Sequence, residues 1–210
     1  YIVPISDYLS QEELSHVYTR NEQYMGGKIW GAPWYMVPMV LGYNKQIFKK
    51  AGLNPEKPPR TWSDLMDACK AIKQAGYSPF ILGNQEGIQG GWAQAWIGGQ
   101  WFSGKTPRDY MAPAIGKAKY TDPKYATWWK YMGMLRDNGY LNPDYQSIQL
   151  YQAMQDFMAG KGAISFGVLS SSVEWMKVLG AENVGLMAAP IIEEAKGDWA
   201  KPDKLDISSQ

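Results

Sequence analysis

The chain has 210 residues, with 21 basic against 20 acidic side chains and a net charge of +1. That length suits one large domain or two small ones, and the even charge, with Lys49-Lys50 as the only Lys/Arg doublet, argues against an electrostatic grip on nucleic acid or an anionic membrane. No apolar run is long enough to span a bilayer, and Cys69 stands alone, which excludes an internal disulfide and a CxxC metal or redox site.

In chain order, Ser6–Tyr24 reads as a helical region with polar faces, where Ser10 and Glu13 form a capping-box pattern. His16 lies inside it with no second His and no Cys nearby, so it reads as a surface residue rather than a ligand or base. Gly26-Gly27 breaks that helix, and Lys28–Pro33 is extended. Pro33 and Pro38 forbid helix through the next stretch, and Val37–Tyr43 is compatible with a buried or crossing strand. Asn44 caps Lys45–Ala51, and Gly52 supplies the left-handed stop.

Pro55, Pro58 and Pro59 stiffen the turn before a second capping pattern, Thr61 with Asp64. Trp62, Leu65, Cys69 and Ile72 then share one face of a Thr61–Gln74 helix, which makes Cys69 a small buried hydrophobe rather than a nucleophile. Gly76 ends the helix and Pro79–Leu82 is the following strand, a pattern of strand, helix and strand that points to an α/β layer. From Asn84 to Gly104 the sequence is rich in Gly, Trp and amides. It holds no GxGxxG or GxxxxGK[ST], so a loop leading into an aromatic helix at Trp92–Trp101 is expected rather than a phosphate cradle. Tyr120–Asn138 is a helix with Asp122 as cap and Pro123 at its first position. Ser147–Ala159 is another, followed by a strand at Ala163–Phe166, a helix at Ser170–Leu179 and a last strand at Val184–Pro190.

Aromatic residues dominate the composition, with ten Trp, fourteen Tyr and five Phe. These rings fill a core, or they offer flat apolar faces to an amphipathic partner such as a sugar ring. Glycoside hydrolysis would need two carboxylates facing one bond. Glu12, Glu13, Asp67, Asp137 and Asp156 fall on solvent faces of helices, and only Glu86 sits in the Gly-rich loop beside tryptophans. Ser170-Ser171-Ser172 lacks a GxSxG elbow and reads as helix capping. No metal-ligand constellation and no cofactor motif is present in the sequence, so neither a metal nor a cofactor is expected.

Two separated motifs carry a resemblance. GKIWGAPWYMVPMVLGYNKQIFKKAGLNPEKPPRTWSDL, from Gly27 to Leu65, resembles the hinge-crossing region of the bacterial extracellular solute-binding proteins, family 1, the maltose-binding-protein-like receptors that feed sugar ABC importers. Phe157-Met158-Ala159-Gly160-Lys161-Gly162-Ala163 is similar to the turn that, in that family, joins a helix to a strand whose end faces the ligand. The resemblance implies a periplasmic-binding-protein-like II fold: α/β, two lobes and a mixed sheet, here mostly the second lobe. Residues 1–36 would be the residual part of the first lobe, 37–44 the hinge-crossing strand, and 45–210 the second lobe, incomplete at its C-terminal end. The chain would be a central fragment of a longer protein.

The resemblance also implies a function. The chain would be an extracytoplasmic receptor, periplasmic or lipid-anchored at a Gram-positive surface, monomeric and not an enzyme. It would capture a sugar or oligosaccharide between lobes and pass it to ABC transporter permease subunits. Three segments would meet at the ligand: Trp34 and Tyr35; Glu86, Gln89 and Trp92; and Leu169 with Ser170. Trp92 matches a family Trp near the site, whereas Leu169 stands where maltose-binding-like members often carry a stacking Trp. Trp175 further along the helix stands as a replacement ring or as core. A carbohydrate-active enzyme, a non-catalytic carbohydrate-binding module and a scaffold with core aromatics remain the alternative readings.

Overall fold

A computed structural model describes residues 2–17, 24–32, 38–102 and 112–195. The chain divides into two compact units, Tyr1–Val37 and Pro38–Gln210.

In the first unit the capping box forms as expected: Ser10 accepts from the Glu13 N–H while the Glu13 carboxylate accepts from the Ser10 N–H. The helix it opens, α1 (Gln11–Ser15), is far shorter than the Ser6–Tyr24 expectation. Ile5–Asp7 is a separate 3-10 turn, and Tyr24 lies not in a helix but in a hairpin, β1 (Tyr24–Met25) with β2 (Lys28–Ile29). Gly26 and Gly27, at φ 59° and 82°, make the left-handed two-residue turn that such a hairpin needs. Lys28 pairs with Asp7 at 2.7 Å and the Ile29 N–H reaches Ser6 Oγ, which ties the hairpin to the 3-10 turn.

The second unit is built on β3 (Met39–Asn44), β4 (Ser78–Ile81), β5 (Gly162–Val168) and β6 (Val184–Met187), in the order β4-β5-β3-β6. β4 and β5 are parallel, while β3 runs antiparallel to both β5 and β6. β4, β5 and β6 therefore end at one edge of the sheet, the edge where β3 begins.

Helices cover both faces. They are α2 (Lys45–Lys50), α3 (Trp62–Gln74), α4 (Ile88–Gly98), α5 (Pro123–Asp137), α6 (Leu150–Met158) and α7 (Ser171–Leu179). Strand residues alternate between two cores, as a sheet buried on both sides demands. Leu41, Tyr43, Phe80, Ile164 and Phe166 face the α3, α4 and α5 side with Leu65, Ile72, Ile97 and Leu135. Val40, Ile81 and Val184 face α6 and α7 through Phe157 and Trp175.

Local chemistry explains most helix ends. Asn44 Oδ1 accepts from the N–H groups of Gln46 and Ile47, which caps α2. At the other end Gly52, at φ 76°, lets the Leu53 N–H return to the Phe48 carbonyl at 2.9 Å. Thr61 and Asp64 complete the second capping box, and the predicted stripe of Trp62, Leu65, Cys69 and Ile72 is buried. Burial pushes the Cys69 thiol well above its ordinary range, which suits a packed hydrophobe and disfavours a thiolate.

Four expectations are corrected. α4 begins at Ile88, not Trp92, and Trp101 closes a 3-10 turn after it. Asp122 occupies the cap position of α5 with Pro123 in the first turn, but its carboxylate accepts from the Lys119 N–H instead of a helix amide. α6 begins at Leu150 because Gln149 is extended and Ser147 closes a turn on Asp144. β6 ends at Met187, and the chain then leaves the sheet so that Ile191 bridges to Thr61.

Trp175 seats α7 on the sheet. Its ring is fully buried over Gly42 and Gly167 and lies edge-on to Phe157 at 5.1 Å. A Cβ on Gly42 would sit 2.1 Å from Trp175 Cζ3. Gly42→Ala should therefore lower stability by roughly 1–3 kcal/mol, the range for overpacking a core. Trp175→Leu in the same chain should recover part of that loss in calorimetric unfolding, and strictly additive effects would remove the glycine slot as its cause.

Candidate functional site

In open α/β sheets, ligands bind outside the carboxyl ends of the parallel strands, where side chains from successive loops converge. Here that edge is formed by Leu82-Gly83-Asn84 after β4, Leu169-Ser170 after β5, Ala188–Pro190 after β6, and Pro38 before β3. The Leu169 N–H donates to the Pro38 carbonyl at 2.9 Å, which closes the ladder beyond the Met39–Val168 pair.

The segment from Gly83 to Trp92 is held by side-chain amides. Asn84 Oδ1 accepts the Gly90 N–H at 2.7 Å, and a Cβ at Gly90 would meet that oxygen at the same distance. Gly90 is thus glycine because Asn84 occupies the space. Gly87, in a left-handed conformation, turns the chain into α4. This explains why a stretch that reads as loop is helical from Ile88.

Gln89 is fully buried, with its Oε1 accepting the Gly83 N–H at 2.5 Å and its Nε2 donating to the Phe166 carbonyl at 2.7 Å. The structure therefore corrects the ligand role expected of Gln89: its amide is committed to backbone and shapes the site from below. Glu86 is exposed, and its carboxylate accepts the N–H of Leu150, the first residue of α6, at 3.2 Å. A carboxylate there also opposes the positive end of the helix.

Trp92 is half-buried and packs against the larger core together with Trp96, Trp101 and Trp128. Leu169 is 46 % exposed, and Ser170 is exposed at the start of α7. Ser170 is helical at φ −64°, and its hydroxyl caps nothing, contrary to the capping expectation; Ser172 Oγ instead donates to the Leu169 carbonyl at 2.6 Å. Trp175 is core, as the glycine slot shows, and offers no ring to a ligand. Trp34 and Tyr35 lie outside the described residues.

Glu86 and Trp92 thus lie in the segment that follows β4, Leu169 and Ser170 follow β5, and Gln89 joins α4 to β5. Sequence reasoning missed Met39 and Val173, both exposed. Met39 pairs with Val168 at the end of β5, and Val173 lies in the first turn of α7. A separate surface cleft of about 430 Å³ lies under the proline-rich loop, lined by Phe48, Leu53, Lys57, Arg60, Asp64 and Asp67 among others, and none of the expected site residues lines it. Among the described residues no group of three or more His, Cys, Asp or Glu side chains could hold a metal ion.

Beyond β6 the segment Pro190–Ala195 straps across the helices. The Trp62 N–H donates to the Ile191 carbonyl at 2.7 Å, and the Ser63 N–H donates to Glu193 Oε1. Gln100, also buried, donates to the Pro190 carbonyl and accepts the Ile192 N–H. Glu194 accepts from the Tyr131 hydroxyl and the Lys130 ammonium, both on α5.

The bonds from Tyr131 and Lys130 hold the Glu194 carboxyl below its ordinary value of 4.5. A group whose pKa falls on folding contributes stability above its unfolded value and loses it as pH drops through the folded one. Because Glu194 is exposed, the effect is local. Acidification below that ordinary value should lower the amide protection factors of Ile192–Ala195, corrected for intrinsic exchange at each pH, in wild type and not in Glu194→Gln; equal acid responses would remove Glu194 as the latch.

Comparison with known proteins places this geometry in a family. The chain matches the model of the bacterial extracellular solute-binding protein over residues 1–207, and it belongs to that family. It is 34 % identical over 97 residues to the sn-glycerol-3-phosphate-binding periplasmic protein UgpB of Escherichia coli (strain K12), covering 46 % of this chain and 18 % of that protein. UgpB of Brucella abortus (strain 2308) is 45 % identical over 53 residues, covering 25 % and 12 %.

Among solved structures, one from work on xylan utilization by Caldanaerobius polysaccharolyticus aligns at TM-score 0.77 and 25 % identity, over 94 % of this chain and 50 % of that one. A chitin oligosaccharide binding protein aligns at TM-score 0.74 and 26 % identity, over 92 % and 48 %. The chain thus spans about half the length of the solved structures it matches. The fold class is the periplasmic-binding-protein-like α/β type with a mixed sheet.

Proposed function

We propose that the chain is part of an extracytoplasmic receptor that captures a carbohydrate and delivers it to an ABC importer. The observation that carries this reading is the carboxyl edge of the sheet. There Gln89 ties the segment that carries the exposed Glu86 and the half-buried Trp92 to β5, the strand that runs out into Leu169-Ser170.

An aromatic face with a few directional polar groups suits a sugar, whose C–H face stacks while its hydroxyls donate to a carboxylate. The similarity to a chitin oligosaccharide binding protein and to a protein of xylan utilization supports the same class of ligand. Leu169 stands exposed after β5 where a second stacking ring would be expected, which favours a ligand that presents an apolar edge there. Residues 1–36 belong to the first lobe in this reading, 37–44 to the hinge-crossing strand and 45–210 to the second lobe. Lobe closure in the full-length receptor shifts an open–closed equilibrium through the ligand's differential affinity, and the importer's permease subunits select the closed form. Capture, not turnover, is the activity.

Calorimetric titration of the full-length protein with xylotriose, chitobiose, maltotriose, galactose and sn-glycerol 3-phosphate tests this. Saturable binding of a saccharide is expected, weakened roughly 10- to 100-fold by Trp92→Ala, the scale of one lost aromatic anchor, at unchanged Tm. Binding of the phosphate alone would overturn the carbohydrate assignment. Turnover of an oligosaccharide abolished by Glu86→Gln would replace the receptor by an enzyme.

A further inference from the structure

Helix α4 carries a weak hydrophobic address. In Ile88–Gly98 (IQGGWAQAWIG) the apolar side chains and glycines are distributed around the whole helix. Such a helix has no single stripe that must face the core, so burial alone leaves its rotation loosely specified. The rotation matters because Trp92 lies on the flank of the buried stripe formed by Gln89, Ala93 and Ile97. At about 100° per residue, a turn of roughly 30° would move that indole by several ångströms, either into the core or off it.

Two buried glutamines supply the missing address. Gln89 and Gln100 stand eleven residues apart, which is three helical turns, so they fall on nearly the same face. Each is buried, and each joins one backbone donor to one backbone acceptor outside the helix, Gln100 donating also to the Trp96 carbonyl within it at 3.2 Å. Gln89 takes the Gly83 N–H after β4 and gives to the Phe166 carbonyl in β5, at 2.5 Å and 2.7 Å. Gln100, in the 3-10 turn that ends the helix, takes the Ile192 N–H at 2.8 Å and gives to the Pro190 carbonyl at 3.0 Å. A side-chain amide satisfies both partners in one orientation only, and each partner left unmade would be a buried unsatisfied group.

We infer that Gln89 and Gln100 are paired positioning residues that pin both ends of α4, fix its rotation and thereby set how Trp92 is presented at the site. The pinning also ties the segment after β4 and the Pro190–Ala195 strap to one rigid helix. Neither glutamine touches the ligand; both act through Trp92. The part of this inference that concerns ligand rests on the receptor reading above, and the part that concerns the indole does not.

The test uses full-length protein labelled with 5-fluorotryptophan, with the Trp92 fluorine resonance assigned by Trp92→Phe. Wild type should give one sharp Trp92 resonance. Gln100→Met, which keeps the volume and removes all three of its side-chain bonds, should split or broaden it, although position 100 is about 12 Å along the helix from Trp92. Gln89→Met should do the same. A Trp92 resonance unmoved in both folded variants overturns the inference.

If a variant fails to fold, amide exchange in wild type decides: Gly83 and Ile192 should exchange as slowly as the interior amides of α4, and much faster exchange would show that the pins open on their own. With whichever saccharide titrates wild type, Gln100→Met should weaken binding at least tenfold, and the Trp92→Ala/Gln100→Met pair should bind no more weakly than Trp92→Ala alone. Full additivity would overturn the positioning role. Unchanged binding in Trp92→Ala would sink the receptor site instead, while leaving the fluorine result to stand.

Discussion

Every buried N–H and C=O at the end of a strand must find a partner once the chain turns out of the ladder, and in this molecule side-chain amides meet that demand. Asn142 accepts the Leu82 N–H and donates back to the Leu82 carbonyl. Gln89 holds Gly83 and Phe166, and Gln100 holds Pro190 and Ile192. All three residues are buried, and all three act near the carboxyl ends of β4, β5 and β6. The candidate site sits on the edge they finish. Rigid support of this kind is what a largely preformed binding surface requires.

The same edge depends on how the helices are seated. On one face the indole of Trp175 occupies the space above Gly42 and Gly167, so α7 and the Leu169-Ser170 turn that precedes it have one position on the sheet. On the other face α4 is located by its glutamines more than by its apolar side chains. Glu86 serves both the rim and the architecture, since its carboxylate faces solvent and also holds the first amide of α6. A single substitution there acts on the exposed rim and on the start of α6 together.

The readable parts of the fold are those governed by contacts a few residues apart. The Ser10–Glu13 and Thr61–Asp64 boxes, the Asn44 cap and the Gly52 stop involve groups within five residues, and each forms as its spacing implies. The buried face of α3 is legible for the same reason: the stripe repeats at the helical period. The misreadings share the opposite cause. Asp122 and Ser170 stand at helix starts yet do not cap, because Lys119 claims the one carboxylate and the backbone at Ser170 is already helical. The first turn of α4, before Trp92, reads as loop because Gly90 and Gly91 weaken helix propensity, an effect outweighed by bonds to Asn84 and Gln89.

For the site, the residue types were legible and their roles were not. Glu86, Trp92, Leu169 and Ser170 stand in the segments that follow β4 and β5, but Gln89 is buried with its amide on backbone groups, and Trp175 belongs to the core. A glutamine among tryptophans in a Gly-rich stretch carries the same letters whether it faces a ligand or a carbonyl 77 residues away. Sequence by itself determined the Ser10, Asn44 and Thr61 caps, the buried stripe of α3, and membership of a receptor family through motifs of local spacing. Only the tertiary structure decided which polar side chains are spent on backbone and which remain at the surface. That choice depends on strand order and register, long-range pairings that no local pattern encodes.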